Sequence, residues 1–208
     1  MEVVRIIGVF LAFAFLHSLC VRERVKLAVA DLLGEEFVRG CYRFLYTVFS
    51  VVIVTLTFRY IHSLEDLVLY KGPPLFRWSM HIIQLGGLIF GVMTFRVIDG
   101  MEFTGLRQVT AFLRKWPVLG DIEGIRGTLL IQDGTYGIVR HPLYLAGIII
   151  FTFEPNITRN GLTVTVLADL YFLFGILTEE RRFIKRYGEE YLQYMKRVPR
   201  FIPWPRKK

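Results

Sequence analysis

Apolar residues along this 208-residue chain occur in long blocks. Runs such as IIGVFLAFAFL, FLYTVFSVVIVTLTF, HIIQLGGLIFGVMTF and TVTVLADLYFLFGIL are nearly continuous, and the stretches between them hold most of the charge. A helix that crosses a hydrocarbon core of about 30 Å needs roughly this length. The pattern predicts an all-α polytopic membrane protein with about five transmembrane helices, at residues 3–20, 44–61, 80–98, 142–157 and 161–178.

The fourth predicted span differs from the others. Its apolar run, PLYLAGIIIFTF, is followed at once by Glu154, Pro155 and Asn156, which form a turn signal. Twelve helical residues rise only about 18 Å. We therefore expect the fourth and fifth helices to form a tight hairpin whose first arm is tilted or spans incompletely.

Two further helices are predicted outside the spans. Residues 101–116 place their large apolar side chains largely on one helical face, which predicts a helix lying in the membrane interface. An amphipathic basic helix is expected after the fifth span. The whole chain, 1–208, is predicted to be one integral membrane domain, with a three-helix scaffold (1–98), an interfacial segment (99–141) and a hairpin with a C-terminal helix (142–203).

Composition and charge support this topology. The chain is 53% hydrophobic and has 26 Lys and Arg against 18 Asp and Glu. The five spans divide the basic residues 21 to 5 between the two sides of the membrane. By the positive-inside rule, residues 21–43, 96–141 and the C-terminal tail are cytoplasmic and the N-terminus is outside. The first apolar segment is expected to be a retained span, and the basic excess indicates topology, not nucleic-acid binding.

The two cysteines, Cys20 and Cys41, fall at the cytoplasmic ends of predicted spans. Thiols on that side are kept reduced, so a structural disulfide is not expected. Two cysteines alone do not indicate a metal site, and none is predicted.

The densest polar chemistry flanks the predicted hairpin. DGTYGIVRHPLYLAG precedes its first arm, and TEERRFIKRYGEEYLQYMKRVPRFIP follows its second. Because a hairpin brings its open ends together, polar side chains from both segments are expected to meet at the cytoplasmic surface. Small residues in the two arms leave room for close helix packing or for a bound cofactor: Ala146, Gly147 and Gly175.

These two segments resemble the membrane methyltransferases grouped with isoprenylcysteine carboxyl methyltransferase and phospholipid N-methyltransferase. The shared elements are RHPxY, here Arg140 to Tyr144, then a hairpin, a Glu-Glu pair and GEEYxxYxxRVPRFIP from Gly188 to Pro203. The resemblance covers about residues 128–203. HSLCVRERVKLAVADLLGEEFVRGCYRFLYTVFS and DGMEFTGLRQ in the first half are similar to NnrU-like membrane proteins and the related methanethiol S-methyltransferases.

The resemblance implies a pocket for S-adenosylmethionine that faces the cytoplasm. His141 and Tyr144 would line it, and Glu179, with Glu180 beside it, would bind the amino group or ribose. Where the acceptor is a neutral amine or thiol, His141 and Glu180 are the candidate catalytic proton acceptors. The implied cofactor-binding residues are Tyr136, Arg140, His141, Tyr144, Gly147, Glu179, Glu180 and Tyr191.

One departure from the family concerns the acceptor. Prenylcysteine enzymes commonly carry an arginine about one turn before the paired glutamates, where this chain has Gly175. The departure puts a prenylcysteine carboxylate in doubt. The resemblance therefore implies methyl transfer at the cytoplasmic membrane face to a hydrophobic or membrane-partitioned acceptor, which is a thiol, a prenylcysteine-like compound or a lipid. Among these, the departure favours a small or lipidic acceptor with no anchored carboxylate, such as a thiol.

Other interpretations stay open at this stage. Glu179 and Glu180 are also explained as interfacial carboxylates paired with arginines, and the tyrosines as an aromatic belt. Asp169, near the middle of the fifth span, is either functional or hydrogen-bonded between helices. The alternatives for the whole chain are an NADPH-dependent membrane reductase of the sterol reductase type and a non-enzymatic NnrU-like membrane protein.

Overall fold

The computed structural model describes residues 1–118 and 130–202, which are mostly helical. The elements follow in chain order: α1 (Glu2–Val21), α2 (Glu23–Leu33), α3 (Glu35–Phe37), a π-helical turn (Val38–Tyr42), α4 (Arg43–Ser63), β1 (Val68–Lys71), α5 (Pro74–Val97), α6 (Gly100–Phe103), α7 (Leu106–Leu113), α8 (Thr135–Ile138), α9 (Pro142–Thr152), β2 (Asn156–Thr158), α10 (Arg159–Tyr187) and α11 (Glu189–Arg197).

Within the described residues, four helical stretches are long and apolar enough to cross a membrane: Glu2–Val21, Glu35–Ser63, Pro74–Val97 and Arg159–Tyr187. Few of their side chains are buried inside the protein, which suits helices that face lipid. These stretches support the predicted all-α membrane protein. The number of five is not confirmed, because the predicted span at 142–157 contains only the 11-residue helix α9.

The contacts define two compact units. Of the described residues, the first contains Met1–Glu65 and 98–118, and the second contains Asp66–Val97 and 130–202. In the first unit α1 packs against α4, and α7 packs against the π-helical turn and α4. The third predicted span, α5, belongs to the second unit and packs against α9.

The interfacial helix predicted at 101–116 is two shorter helices, α6 and α7. Asp99 caps α6 by accepting hydrogen bonds from the backbone of Met101 and Glu102. Gly105 separates the two helices at a φ of +82°, and a Cβ there would lie 2.3 Å from the backbone nitrogen of Phe44. The break therefore follows from a left-handed backbone and a close approach that only glycine permits.

In the second unit, the short helix α9 packs between α5 and α10. Glycines bring α9 close to α5, since a Cβ at Gly87 would lie 2.7 Å from Ile149 and one at Gly91 would lie 3.3 Å from Ala146. Small residues at membrane helix interfaces permit such close approach.

Although α9 rises only about 16 Å, the segment around it runs the full length of α5. At one end, a Cβ at Gly134 would lie 2.6 Å from Val97, the last residue of α5. At the other end, β2 pairs antiparallel with β1, with Lys71 opposite Asn156, just before α5 begins. The chain therefore passes from one end of α5 to the other between residues 134 and 156.

Because α9 is short, its C-terminal carbonyls lie beside the two long helices. Gln84 of α5 donates to the carbonyl of Ile150 at 2.8 Å, and Thr165 of α10 donates to the carbonyl of Phe151 at 3.2 Å. Thr152, at the end of α9, donates to the carboxylate of Asp169 at 2.9 Å. Side chains of the neighbouring helices thus satisfy backbone groups that a helix end leaves unpaired.

Candidate active site

The N-terminal end of α9 carries the RHP segment predicted to hold the site. Pro142 occupies the first turn, where a missing N–H costs nothing, and the carbonyl of His141 accepts the first helical hydrogen bond, from Leu145 at 3.0 Å. The backbone N–H of Arg140 donates to the carbonyl of Pro199 at 2.9 Å. The start of α9 is therefore tied to the segment that follows α11.

Arg140 is buried and binds groups from two other elements. Its Nε and Nη2 donate to Oε1 of Glu180 in α10, at 3.1 and 2.6 Å. Its Nη1 donates to the carbonyls of Val198 at 2.6 Å and Met195 at 3.2 Å. The guanidinium thus joins α10 to the C-terminal end of α11, and its donors are used inside the protein.

Glu180 is 4% exposed and accepts hydrogen bonds on both of its carboxylate oxygens. Besides Arg140, Arg200 donates from Nε to Oε1 at 3.3 Å and from Nη2 to Oε2. Two guanidinium groups therefore surround one buried carboxylate, which is the condition under which a buried charge is tolerated.

His141 lies between the two glutamates, and its side chain is 1% exposed. Its Nδ1 is 3.2 Å from Oε2 of Glu179, and its Nε2 is 3.3 Å from Oε1 of Glu180. Both neighbours are carboxylate acceptors, so a neutral imidazole donates a hydrogen bond to only one of them. The buried Glu180 fixes one side of the ring, and Glu179 faces the other.

Glu179 differs from its neighbour in exposure. Its side chain is 34% exposed, against 6% for Glu180. Within the described residues, its Oε2 contacts His141 and its Oε1 forms no hydrogen bond. The site therefore presents one carboxylate oxygen that a cationic ligand can reach.

Aromatic rings continue the site along α9 and α10. The rings of His141 and Tyr144 meet edge to face with centroids 5.8 Å apart, and Tyr144 meets Phe172 at 6.0 Å. Gly175 makes room for Tyr144, since a Cβ there would lie 3.1 Å from its ring. A Cβ at Gly147 would lie 2.9 Å from Phe172, so the space beside Gly147 is filled by a side chain of α10.

Three tyrosines lie around the α11 side of the site. Tyr194 donates from its hydroxyl to the carbonyl of Tyr136 at 2.6 Å, and burial raises its pKa to about 12. Burial and the nearby Glu179 charge raise the pKa of Tyr136 above the ordinary value. Burial and the Glu180 charge do the same for the pKa of Tyr191, whose buried hydroxyl has no hydrogen-bond partner among the described residues.

The structure thus brings most of the predicted residues together at one end of α9. Arg140 and His141 both contact Glu180, and His141 also contacts Glu179. Tyr144 contacts His141, and Tyr191 packs against Tyr194. Gly147 lies one turn further along α9 against Phe172. Pro203, the last residue of the matched motif, lies outside the described residues.

Sequence reasoning missed Arg200 and the carbonyls of Met195 and Val198. The RVPR segment was part of the quoted motif, but its letters do not show that Arg200 turns back onto Glu180. The signal for Arg200 in the sequence is its place in the motif that follows the Glu-Glu pair. No group of three metal-binding side chains occurs in ranges 1–118 and 130–202.

The described helices and the charged network define a helical integral membrane protein with a candidate active site at the start of α9. The chain is 28% identical over 203 residues to methanethiol S-methyltransferase 1 of Bradyrhizobium diazoefficiens, covering 93% of this chain and 64% of that protein. It is 27% identical over 209 residues to methanethiol S-methyltransferase of Crocosphaera subtropica, covering 97% of this chain and 75% of that protein.

A shorter similarity, 37% identity over 79 residues, is to the protein-S-isoprenylcysteine O-methyltransferase of Schizosaccharomyces pombe, covering 36% of this chain and 33% of that protein. No family model and no solved structure matches the chain. The resemblance expected from the sequence is confirmed: the chain is homologous to methanethiol S-methyltransferases over most of its length. It spans about two thirds of the length of the first of these relatives.

Proposed function

We propose that this protein is an S-adenosylmethionine-dependent methyltransferase that acts on a hydrophobic or membrane-partitioned acceptor. The observation that carries the proposal is the half-buried Glu179 carboxylate beside the rings of His141 and Tyr144. All three belong to the segments that resemble membrane methyltransferases, and the relatives that match the chain are named methyltransferases.

The residues present fit S-adenosylmethionine as a ligand. It has two positive centres, an α-ammonium and a sulfonium, and when bound it supplies an electrophilic methyl group. Oε1 of Glu179 is available to an ammonium, and the tyrosine and histidine rings attract a sulfonium. The hydroxyl of Tyr191, which has no hydrogen-bond partner in the part of the chain that the structure describes, offers a further polar contact. We assign Glu179, Tyr144 and Tyr191 to this ligand.

A thiol is the acceptor that the site supports best. Two relatives are named for methanethiol and one for isoprenylcysteine. A prenylcysteine acceptor presents a carboxylate, which requires a cation. Arg140 and Arg200 are both bound to Glu180, and Gly175 occupies the position where prenylcysteine enzymes commonly have arginine. A small neutral thiol needs no such group.

His141 is the proton acceptor in this proposal. Nε2–H donates to Oε1 of Glu180, which the two arginines hold in place, and Nδ1 carries the lone pair. The lone pair on Nδ1 makes no hydrogen bond with the Glu179 carboxylate, and when Glu179 turns to a cationic ligand, Nδ1 takes the proton of the thiol. Glu180, whose oxygens are already occupied, holds the ring orientation and the tautomer. The thiolate sulfur would then bond to the methyl carbon as the bond from that carbon to the sulfonium sulfur breaks, and the rest of the donor would leave as a neutral thioether.

We place the site at the cytoplasmic face, with the N-terminus outside. The basic residues support this orientation, since most lie in the predicted cytoplasmic segments. The path of residues 134–156 along the whole of α5 supports the odd number of crossings that the orientation requires.

Methyl transfer tests the proposal directly. The purified protein in detergent micelles is given S-adenosylmethionine labelled in its methyl group, with methanethiol, longer alkyl thiols, a prenylcysteine analogue or phospholipid as acceptor. We expect label in the thiols and little in the prenylcysteine analogue. Label in the prenylcysteine analogue alone would overturn the thiol assignment. If the protein binds NADPH but not S-adenosylmethionine, the reductase is favoured. If the folded protein binds neither, a non-enzymatic role is favoured.

A further inference from the structure

Arg200 lies outside the helices and yet completes the buried network. It follows α11 by three residues, and its side chain is 41% exposed, whereas those of Arg140 and Glu180 are 5% and 6% exposed. Within the described residues, Arg200 is the partner of Oε2 of Glu180, while Oε1 is shared with Arg140 and His141. Arg200 thus covers the outward side of a carboxylate that Arg140 holds from within.

Each arginine does a different task in this arrangement. Arg140 is tied to two carbonyls as well as to Glu180, so it fixes the backbone at the start of α9. Arg200 binds Glu180 through both oxygens. A bidentate guanidinium sets the plane of a carboxylate as well as its charge. Arg140 holds Oε1 alone, so the plane of the carboxylate, and with it the direction in which Oε1 faces Nε2 of His141, depends on Arg200 as well.

The charge balance of the site also depends on Arg200. Two carboxylates, two guanidiniums and one imidazole meet at the site, so with a neutral imidazole the formal charge is balanced. Loss of Arg200 leaves one uncompensated negative charge within contact distance of the ring.

We propose that Arg200 is a positioning residue, which acts through Glu180 to fix the His141 ring and thereby to leave Glu179 available to the methyl donor. The link to the donor rests on the proposed function, but the link from Arg200 to His141 does not. Arg200 is 41% exposed, so its replacement is expected to leave the fold intact.

The first experiment uses the full chain without any donor. The protein is labelled with ¹⁵N-histidine in micelles, and the signal of His141, one of four histidines, is assigned by its loss in His141→Asn. Arg200→Met is expected to shift the ring nitrogen signals of His141, and Arg200→Lys to shift them less. The matched control is Arg197→Met, since Arg197 lies on the same segment and contacts Gln132 instead. Unchanged signals in Arg200→Met would overturn the proposal.

The second experiment measures binding of labelled S-adenosylmethionine by equilibrium dialysis. We expect about tenfold weaker binding in Arg200→Met, within threefold of the parent in Arg200→Lys, and no change in Arg197→Met. The penalty of Arg200→Met should disappear when Glu180→Gln is already present, because the two residues act as one unit. An equal penalty in both backgrounds would contradict action through Glu180. If the parent protein binds no donor, the proposed function fails, while the histidine spectra still decide the role of Arg200.

Discussion

The two ends of α9 lie between the same pair of helices, but they use polar side chains differently. At the C-terminal end, Gln84 and Thr165 donate to backbone carbonyls of Ile150 and Phe151. At the N-terminal end, charged side chains bind one another, and Glu179 keeps one oxygen without a hydrogen bond among the described residues. The first arrangement completes a helix that ends early, and the second leaves one oxygen of a partly exposed carboxylate without a hydrogen bond among the described residues.

Two carboxylates of α10, Asp169 and Glu179, each have one oxygen without a hydrogen-bond partner among the described residues, but the partners of the other oxygen differ. Asp169 and Glu179 are ten residues apart, or about 15 Å along the helix. Asp169 binds the hydroxyl of Thr152, in line with the interpretation as a hydrogen bond between helices. Glu179 binds a histidine that is itself held by a second carboxylate. A carboxylate in a membrane helix therefore indicates function only when its partners are known.

The largest expected effect comes from breaking the charged end. Arg140→Met should lower the free energy of unfolding by about 3 kcal/mol or more, because it removes one partner of a buried ion pair. Two carbonyls lose their donor as well. Denaturation in micelles measures the change. Arg5→Met, which removes an exposed pair with Glu2, is the control, and a loss no larger than that of the control would contradict the account.

Replacing a histidine at each end of α9 tests whether the two ends differ in their effect on the rate of methyl transfer. His141→Asn should slow methyl transfer to a thiol by about 100-fold, the usual contribution of a general base. His81→Asn is the matched change near the other end of α9, where His81 contacts Gln84. It should leave the rate within about twofold of the parent. Equal rates for the two variants would remove His141 from the mechanism.

Replacing Gln84, at the C-terminal end of α9, should lower stability without lowering activity. Gln84→Leu leaves the carbonyl of Ile150 without its donor and should cost about 1 to 2 kcal/mol of stability. Because this end holds no proposed catalytic group, kcat should not change. Thermal unfolding and initial rates measure the two quantities. A large loss of kcat at full stability would show that the C-terminal end of α9 takes part in the reaction.

The smallest expected effect is a loss of stability at alkaline pH. Burial raises the pKa of Tyr194 from an ordinary value near 10 to about 12. The unfolded chain then ionises first, so the stabilisation is complete below pH 10 and is lost as the pH rises through 12. Tyr194→Phe should lose less stability than the parent over that interval. Parallel losses, measured by unfolding at each pH, would contradict the raised pKa.

The sequence predicted much of the helical framework because long apolar runs have few alternatives in a membrane protein. The helices of α1, α4, α5 and α10 lie where these runs are. It also marked α9 as short, since the turn signal at Glu154 and Pro155 is local. It did not predict the break at Gly105, which depends on the close approach of Phe44, a residue 61 positions earlier in the chain.

The candidate site was predicted only in part, because its motifs are local in the sequence whereas some of its contacts join distant segments. The motif carried His141, Glu179 and Glu180, and the hairpin argument placed their segments together. The sequence did not show which of the two glutamates contacts the cofactor, because neighbouring residues with the same chemistry differ only in what surrounds them. In the structure Arg200 binds Glu180 and not Glu179, and that contact depends on the turn after α11.

The central claim is that Glu179 receives the methyl donor while Glu180 holds the site together. Equilibrium dialysis of labelled S-adenosylmethionine against the parent protein, Glu179→Gln and Asp169→Asn tests it most directly. The account predicts at least about tenfold weaker binding for Glu179→Gln and a value within about twofold of the parent for Asp169→Asn. Binding by Glu179→Gln as tight as that of the parent would contradict the account.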